Sequence, residues 1–215
     1  MEAKKLFYKN QAETIIKNLK KRNMDGIYFE SRDELSSYLA DLIKEGQKVG
    51  VGGTQTLDWI GVKAMLSARA DKGEISLFMR KPGQSEEEIN KLYLDSFSAD
   101  IYLMSTNAIT LDGELFNIDR RGNRVAALIY GPKQVYIIAG MNKVAPSLSS
   151  AIERARNIAS PANCNRLSRK TPCSVTGRCS DCTSPDTICS QFVYTRHSGI
   201  PGRIHVLLVG EELGY

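Results

Sequence analysis

The stretch KVGVGGTQTLDWIGVKAML, residues 48–66, decides the fold. Lys48-Val-Gly-Val51 reads as a short strand that runs into Gly52-Gly53-Thr54. Leu57, Ile60, Gly61, Ala64 and Met65 then recur at helical spacing. A strand that passes through a glycine turn into a helix is the opening of a βαβ unit, and such units build parallel sheets. Working outward, Ile75 to Met79, Ile101 to Ser105 and Val135 to Ala139 read as further strands. Ser85-Glu-Glu-Glu88 is a capping box ahead of Ile89, Leu92 and Tyr93. Pro146 suits the first turn of a helix running through Ile152 to Ile158. Upstream, Ala12, Ile15, Ile16 and Leu19 sit on one helical face, and Gly26 to Phe29 is a strand. Ser31 and Glu34 box the start of a helix carrying Leu35, Tyr38, Leu39, Leu42 and Ile43. Arg203 to Val209 is a closing strand. The pattern predicts one α/β domain over 1–215 with a mainly parallel sheet. Residues 1–45 form its N-terminal helical segment, and 159–202 are a Cys-rich loop insertion before the last strand.

The chain has 215 residues, 42% hydrophobic and 25% charged, which excludes collagen-like, coiled-coil and wholly disordered classes. No apolar run reaches the ~18 residues of a membrane span. The N-terminus has no apolar signal-peptide core, so the expected compartment is the cytoplasm. Net charge is +5 and uneven: between Pro161 and Ile204 six Arg and Lys face only Asp181 and Asp186, and all five cysteines fall there. Few aromatics interleave with those basic residues, which argues against nucleic acid.

Cysteines confined to one stretch of an intracellular chain point to metal or redox work before disulfides. Cys173, Cys179, Cys182 and Cys189 are spaced C-x5-C-x2-C-x6-C. The C-x2-C pair sets two thiolates across a tight turn, and two more complete a tetrahedral set for zinc or a 4Fe–4S cluster. Either would leave roughly −2 of charge for nearby basic residues to offset, and its binding energy would fold a loop that has no core of its own. Four free cysteines in a surface loop is the other reading. Cys164 reads as a small packing residue.

Two further patches can bind a ligand. Gly52, Gly53 and Thr54 bring bare backbone to a helix start, suited to an anion, although neither a Walker A nor a full G-x-G-x-x-G pattern is present. Residues 107–124, NAITLDGELFNIDRRGNR, carry a hairpin turn at Asp112-Gly113. Glu114 and Asp119 are its candidate acid–base groups, and Asn107, Asn117, Asn123 and Arg124 its hydrogen-bonding ones. A solvated hairpin is the plainer reading of the same residues. No Gly-x-Ser-x-Gly elbow supports a serine hydrolase.

Asn107-Ala-Ile-Thr110, Asp112-Gly113, Asn117-Ile-Asp119, Gly122-Asn-Arg-Val-Ala126 and Gly131-Pro132 together resemble the LUD-domain (lactate-utilisation) family. So do Gly140-Met-Asn-Lys143, Ala155-Arg156, Pro161-x-Asn163, Arg166-Leu167, Pro172-Cys173 and Glu212-Leu-Gly-Tyr215. The resemblance spans nearly the whole chain. It implies a fold like the NagB/RpiA/CoA-transferase class, a Rossmann-like α/β sheet, with a small-molecule substrate near the glycine turn and Lys143 among the ligand-binding residues. It also implies a part in oxidising L-lactate to pyruvate beside iron–sulfur and redox partner subunits. The leading expectation is therefore a redox-linked oxidoreductase component with a four-cysteine metal site. A stand-alone enzyme on a sugar phosphate or acyl-CoA, with Glu114 as base and a structural zinc, is a second. A nonenzymatic protein-binding module is a third, and homo-oligomer formation stays open.

Overall fold

The computed structural model describes residues 2–215. In chain order the elements are α1 (Glu2–Lys20), β1 (Asp25–Phe29), α2 (Arg32–Leu42), β2 (Lys48–Val51), α3 (Thr56–Trp59), α4 (Val62–Asp71), β3 (Ser76–Phe78) and α5 (Glu86–Asp95). There follow β4 (Ile101–Ser105), the hairpin β5 (Ala108–Thr110) and β6 (Leu115–Asp119), α6 (Asn123–Ile129), β7 (Gln134–Gly140) and β8 (Val144–Ala145). The chain closes with α7 (Leu148–Arg154), α8 (Ser160–Arg166), α9 (Pro172–Thr176), β9 (Gln191–Thr195) and β10 (Ile204–Val209).

Six strands form one all-parallel sheet in the order β1-β10-β7-β4-β2-β3. Its central strands are buried on both faces, which is why they read as continuous apolar runs rather than alternating ones. Their side chains still alternate between two cores. Ile101, Leu103, Tyr136, Ile138, Leu207 and Val209 pack with Leu35, Leu39, Leu57 and Leu66 on the α2/α4 side. Tyr102, Met104, Ile137, Val206 and Leu208 pack with Ala12, Ile15 and Leu19 of α1 on the other. The α/β architecture with a mainly parallel central sheet is thus as expected from the sequence.

The chain leaves β2 toward β3 on one side and returns to β4 on the other. A crevice opens at the C-terminal ends of strands where the order reverses in this way. Gly50 permits the close packing there, since a Cβ on it would lie 2.6 Å from the Tyr102 ring.

Several local readings need correction. The helix expected through Leu57 to Met65 is two helices, because Gly61 turns left-handed at φ +72°. Pro146 lies before Ser147, which is the N-cap that accepts from Ser150 N. Residues 159–202 are not a bare loop inserted before the last strand. They hold α8, α9 and β9, with irregular stretches at 167–171, 177–190 and 196–202. β9 joins a second sheet, β8-β5-β6-β9, by antiparallel pairing with β6. It is a half-exposed edge strand whose Phe192 rests near Phe116, centroids 6.2 Å apart, so little burial marks it in the sequence. Between α7 and α8 the helix widens to a π turn at Ala155–Ala159. Pro161 follows it, and its missing N–H breaks the regular ladder.

Arg203 anchors the return of β10 to the sheet. Its buried guanidinium donates to Leu128 O at 2.6 Å, Ala127 O at 2.9 Å and Pro132 O at 3.0 Å. The first two are carbonyls at the C-terminal end of α6, left without helical partners. Arg203→Met is expected to lower unfolding free energy by on the order of 3 kcal/mol by orphaning these acceptors. Urea unfolding followed by circular dichroism measures this, and an unchanged midpoint would contradict it.

Candidate functional site

The crevice at the strand ends is a cleft of about 460 Å³. Its floor is made by the turns that follow β2, β4 and β7. Lys143 ends the short turn after β7. Its side chain is only 3% exposed. Nζ donates to Ser105 Oγ at 2.8 Å, Thr56 Oγ1 at 3.1 Å and Thr106 O at 3.3 Å. No carboxylate pairs with it among the described residues. Burial first, then the charges of Arg154 and Arg124, push its pKa from 10.5 down to about 7. An amine in that range can hold or release a proton at neutral pH.

Arg124, from the first turn of α6, is the hub of the wall. Nη1 donates to Ser105 O at 2.6 Å and Asn117 Oδ1 at 2.7 Å, and Nη2 to Ile118 O at 2.8 Å and Asn107 Oδ1 at 3.1 Å. Asp119 Oδ2 lies 3.5 Å from Nε and accepts from Val125 N at 3.3 Å. Gly52 is needed beneath it, because a Cβ there would meet the Arg124 stem at 3.1 Å. Arg154 ties the β4–β5 turn to the floor, donating to Asn107 O at 2.6 Å and Asn142 O at 2.9 Å. Burial lowers its pKa to about 10, so it stays charged at neutral pH.

The chain end roofs Lys143. Asn142 binds it through Gly214 O at 3.1 Å and Leu213 N at 3.0 Å. Gly214 is left-handed at φ +64°, and a Cβ on it would come within 2.6 Å of Thr56 Oγ1 and 3.3 Å of Lys143 Nζ. Tyr215 then meets Trp59 edge-on at 6.1 Å. Gly214→Ala is therefore expected to lift the tail from Lys143 and to increase proteolysis of the last residues. An unchanged chymotryptic pattern, with no faster cleavage at Leu213, would contradict this.

Of the residues singled out in the sequence, Gly53, Thr54, Asn107, Asp119, Asn123, Arg124 and Lys143 line the cleft. Asn117 lies behind the wall, fully buried, with Nδ2 unpartnered. Glu114 is not in the cleft. It pairs with Arg22 at 3.1 Å and accepts from Tyr194 Oη at 2.6 Å, which ties the turn after α1 and β9 to the hairpin. Thr56, Ser105, Thr106, Arg154 and Tyr215 were not anticipated. Ser and Thr hydroxyls at strand ends carry no sequence signal of their own.

The cysteines gather beside the cleft. Cys173, Cys179, Cys182 and Cys189, with Cys164, line a cavity of about 40 Å³ that shares Ser160 with the cleft wall. Arg156 Nη2 donates to Cys179 Sγ at 3.5 Å, and Thr171 Oγ1 lies 3.3 Å from Cys173 Sγ. Burial pushes the Cys164 thiol up to about 11 and raises that of Cys189. Among the described residues no three cysteine, histidine or carboxylate side chains converge on one point at metal-binding range. His197 is exposed and outside the cavity, and His205 stacks on Tyr136 at 4.6 Å in the sheet.

No helix among the described residues is long and apolar enough to cross a membrane. Among solved structures, the chain is similar to a DUF162 family protein from Deinococcus radiodurans at 16% identity, covering 95% of this chain and 98% of that one, TM-score 0.49. It is similar to eIF2B beta from Chaetomium thermophilum at 17% identity over 55% and 40%, TM-score 0.37. It is also similar to an acyl-CoA transferase from Escherichia coli O157:H7 at 13% identity over 51% and 24%, TM-score 0.35. No curated protein matches it. The family model described as the LUD domain matches residues 12–209, and the chain belongs to that family as a lactate-utilisation-type protein.

Proposed function

We propose that the protein binds L-lactate or a related 2-hydroxy acid, and the matching 2-oxo acid, in the cleft over Lys143. It acts as the redox-linked component of that oxidation, with Cys173, Cys179, Cys182 and Cys189 holding zinc or a 4Fe–4S cluster and with redox partner subunits as electron acceptor. The observation that carries this reading is the buried Lys143 amine, which has hydroxyl and carbonyl neighbours and no counter-charge. A ligand carboxylate supplies the missing charge. The neutral amine takes the proton of the C2 hydroxyl, and the ammonium so formed pairs with that carboxylate. The two electrons and the remaining proton of the oxidation pass to the partner subunit. Thr56 and Ser105 hold Nζ in place, and the tail over Gly214 shields it from water.

The thiol-lined cavity supports the metal part of the proposal. Its donors are soft sulfurs, with Arg156 and Thr171 placed to neutralise or bond them. The cavity of about 40 Å³ lies among these sulfurs, and to ligate one ion or a cluster they would have to draw together, since no three of them converge on one point. When bound, a cluster relays electrons, whereas zinc clamps the 177–190 segment.

Metal and acid-labile sulfide analysis of protein purified without oxygen, with calorimetric titration of L-lactate and pyruvate, tests both parts. Stoichiometric metal lost in Cys179→Ser and Cys182→Ser is expected, together with one acid bound per chain. Metal retained in both variants overturns the cysteine assignment, and failure of both acids to bind overturns the substrate.

A further inference from the structure

A three-carbon acid over Lys143 occupies a small part of a cleft of about 460 Å³, a size that takes a ligand of drug-like dimensions. The rest of the lining is strongly cationic and incompletely paired. Lys63 pairs with Asp58, Arg121 with Glu86, and Arg169 with Asp186 at 3.0 Å. Arg80, Arg120 and Arg166 have no carboxylate at ion-pair distance among the described residues. Arg166 donates only to the neutral Asn163 Oδ1, at 2.6 and 2.9 Å. Arg169 adds a buried Nε with no partner, although its Nη1 is engaged. These groups come from three separate places: the end of β3, the β6–α6 turn and the end of α8. Arginines brought together from distant segments without acidic partners keep their forked donors free, and that geometry suits phosphate oxygens. Tyr93 and Tyr215 line the same cleft and offer flat apolar surface beyond the charges.

We propose that the outer part of the cleft binds a phosphate-bearing organic ligand of nucleotide size, its phosphates held by Arg80, Arg120 and Arg166. The site deepens the reading of the same cleft given above but does not need the acid seat at Lys143. The shared chemistry is a diphosphate ester, which either a free nucleotide or coenzyme A would bring. Calorimetry on the full chain with ADP, coenzyme A and inorganic pyrophosphate, at low and moderate salt, tests it.

The expected result is one-to-one binding of ADP or coenzyme A that weakens with salt, and whichever binds more tightly identifies the source. Arg166→Gln and the double variant Arg80→Gln/Arg120→Gln should each weaken binding by about tenfold or more, the size of a lost charged hydrogen bond. These side chains are exposed at the rim, so the fold should survive the changes, and circular dichroism checks that. Failure of ADP and coenzyme A to bind, or undiminished binding in the variants, overturns the proposal. Pyrophosphate binding as tightly as both organic ligands overturns their nucleotide size. Pyruvate titrated into the same variants separates the two readings: pyruvate retained while ADP is lost supports two seats. Loss of pyruvate binding in wild type with ADP binding intact removes the acid seat alone.

Discussion

Lys143→Met is expected to abolish binding of the proposed acid ligand and to make the protein more stable at neutral pH. The amine titrates at 10.5 in the unfolded chain and near 7 when folded. Between those values the unfolded state binds more protons, so stability rises with pH across the window from about 7 to 10.5. At and below pH 7 the native state carries the full penalty, on the order of 4 kcal/mol by the pKa difference. Methionine fills the same volume without charge and removes that penalty. It gives up three hydrogen bonds, but Thr56 Oγ1 can still donate to Ser105 Oγ at 3.3 Å. The net expectation is a gain of about 1–3 kcal/mol at pH 7, against a loss of at least about 100-fold in affinity for pyruvate or lactate. Urea midpoints at pH 7 and pH 9.5 check this: wild type should gain stability between them and the methionine variant should not. A variant less stable than wild type at pH 7 would mean that the lysine is paired rather than isolated.

Arg124→Met acts in the opposite direction. The side chain is 9% exposed, and its guanidinium satisfies Ser105 O, Ile118 O, Asn107 Oδ1 and Asn117 Oδ1 while facing Asp119. Removing it takes the counter-charge from Asp119 and a donor from each of the four acceptors, of which Asn107 Oδ1 keeps Ile118 N. Breaking a buried pair in this way costs about 3–5 kcal/mol. Arg124→Lys should recover only a minor part, because an ammonium cannot reach acceptors spread around a planar fork. Thermal and urea unfolding of both variants measure it. A fully stable lysine variant would show that charge alone, not the fork, holds the wall.

These two residues show how unevenly the site is written in the chain. Both lie in motifs that identify the family, Gly122-Asn-Arg-Val-Ala126 and Gly140-Met-Asn-Lys143, so their importance was legible. Their roles were not. Whether a lysine is an exposed cation or a buried amine depends on what packs around it, and Thr56, Ser105, Arg154 and the tail at Gly214 come from four distant segments. Glu114 is the converse case. A carboxylate in a polar motif looks catalytic, yet Arg22 and Tyr194, 92 and 80 residues away in sequence, bind it into a structural tie.

By itself the sequence determined the mainly parallel sheet and the helices that alternate with its strands, because hydrophobic period and capping boxes are local and the buried strands must be apolar throughout. It also determined the family and the gathering of cysteines in one segment. Only the tertiary structure decided strand order, and hence the crevice between β2 and β4, since register and crossover depend on contacts far apart in the chain. It alone decided the second sheet, whose edge strand β9 is too exposed to announce itself. It also decided which charges meet: which arginines are paired, which stand free, and how completely Lys143 is removed from water. These are properties of neighbourhood, and neighbourhood in this chain is set across separations of up to 208 residues.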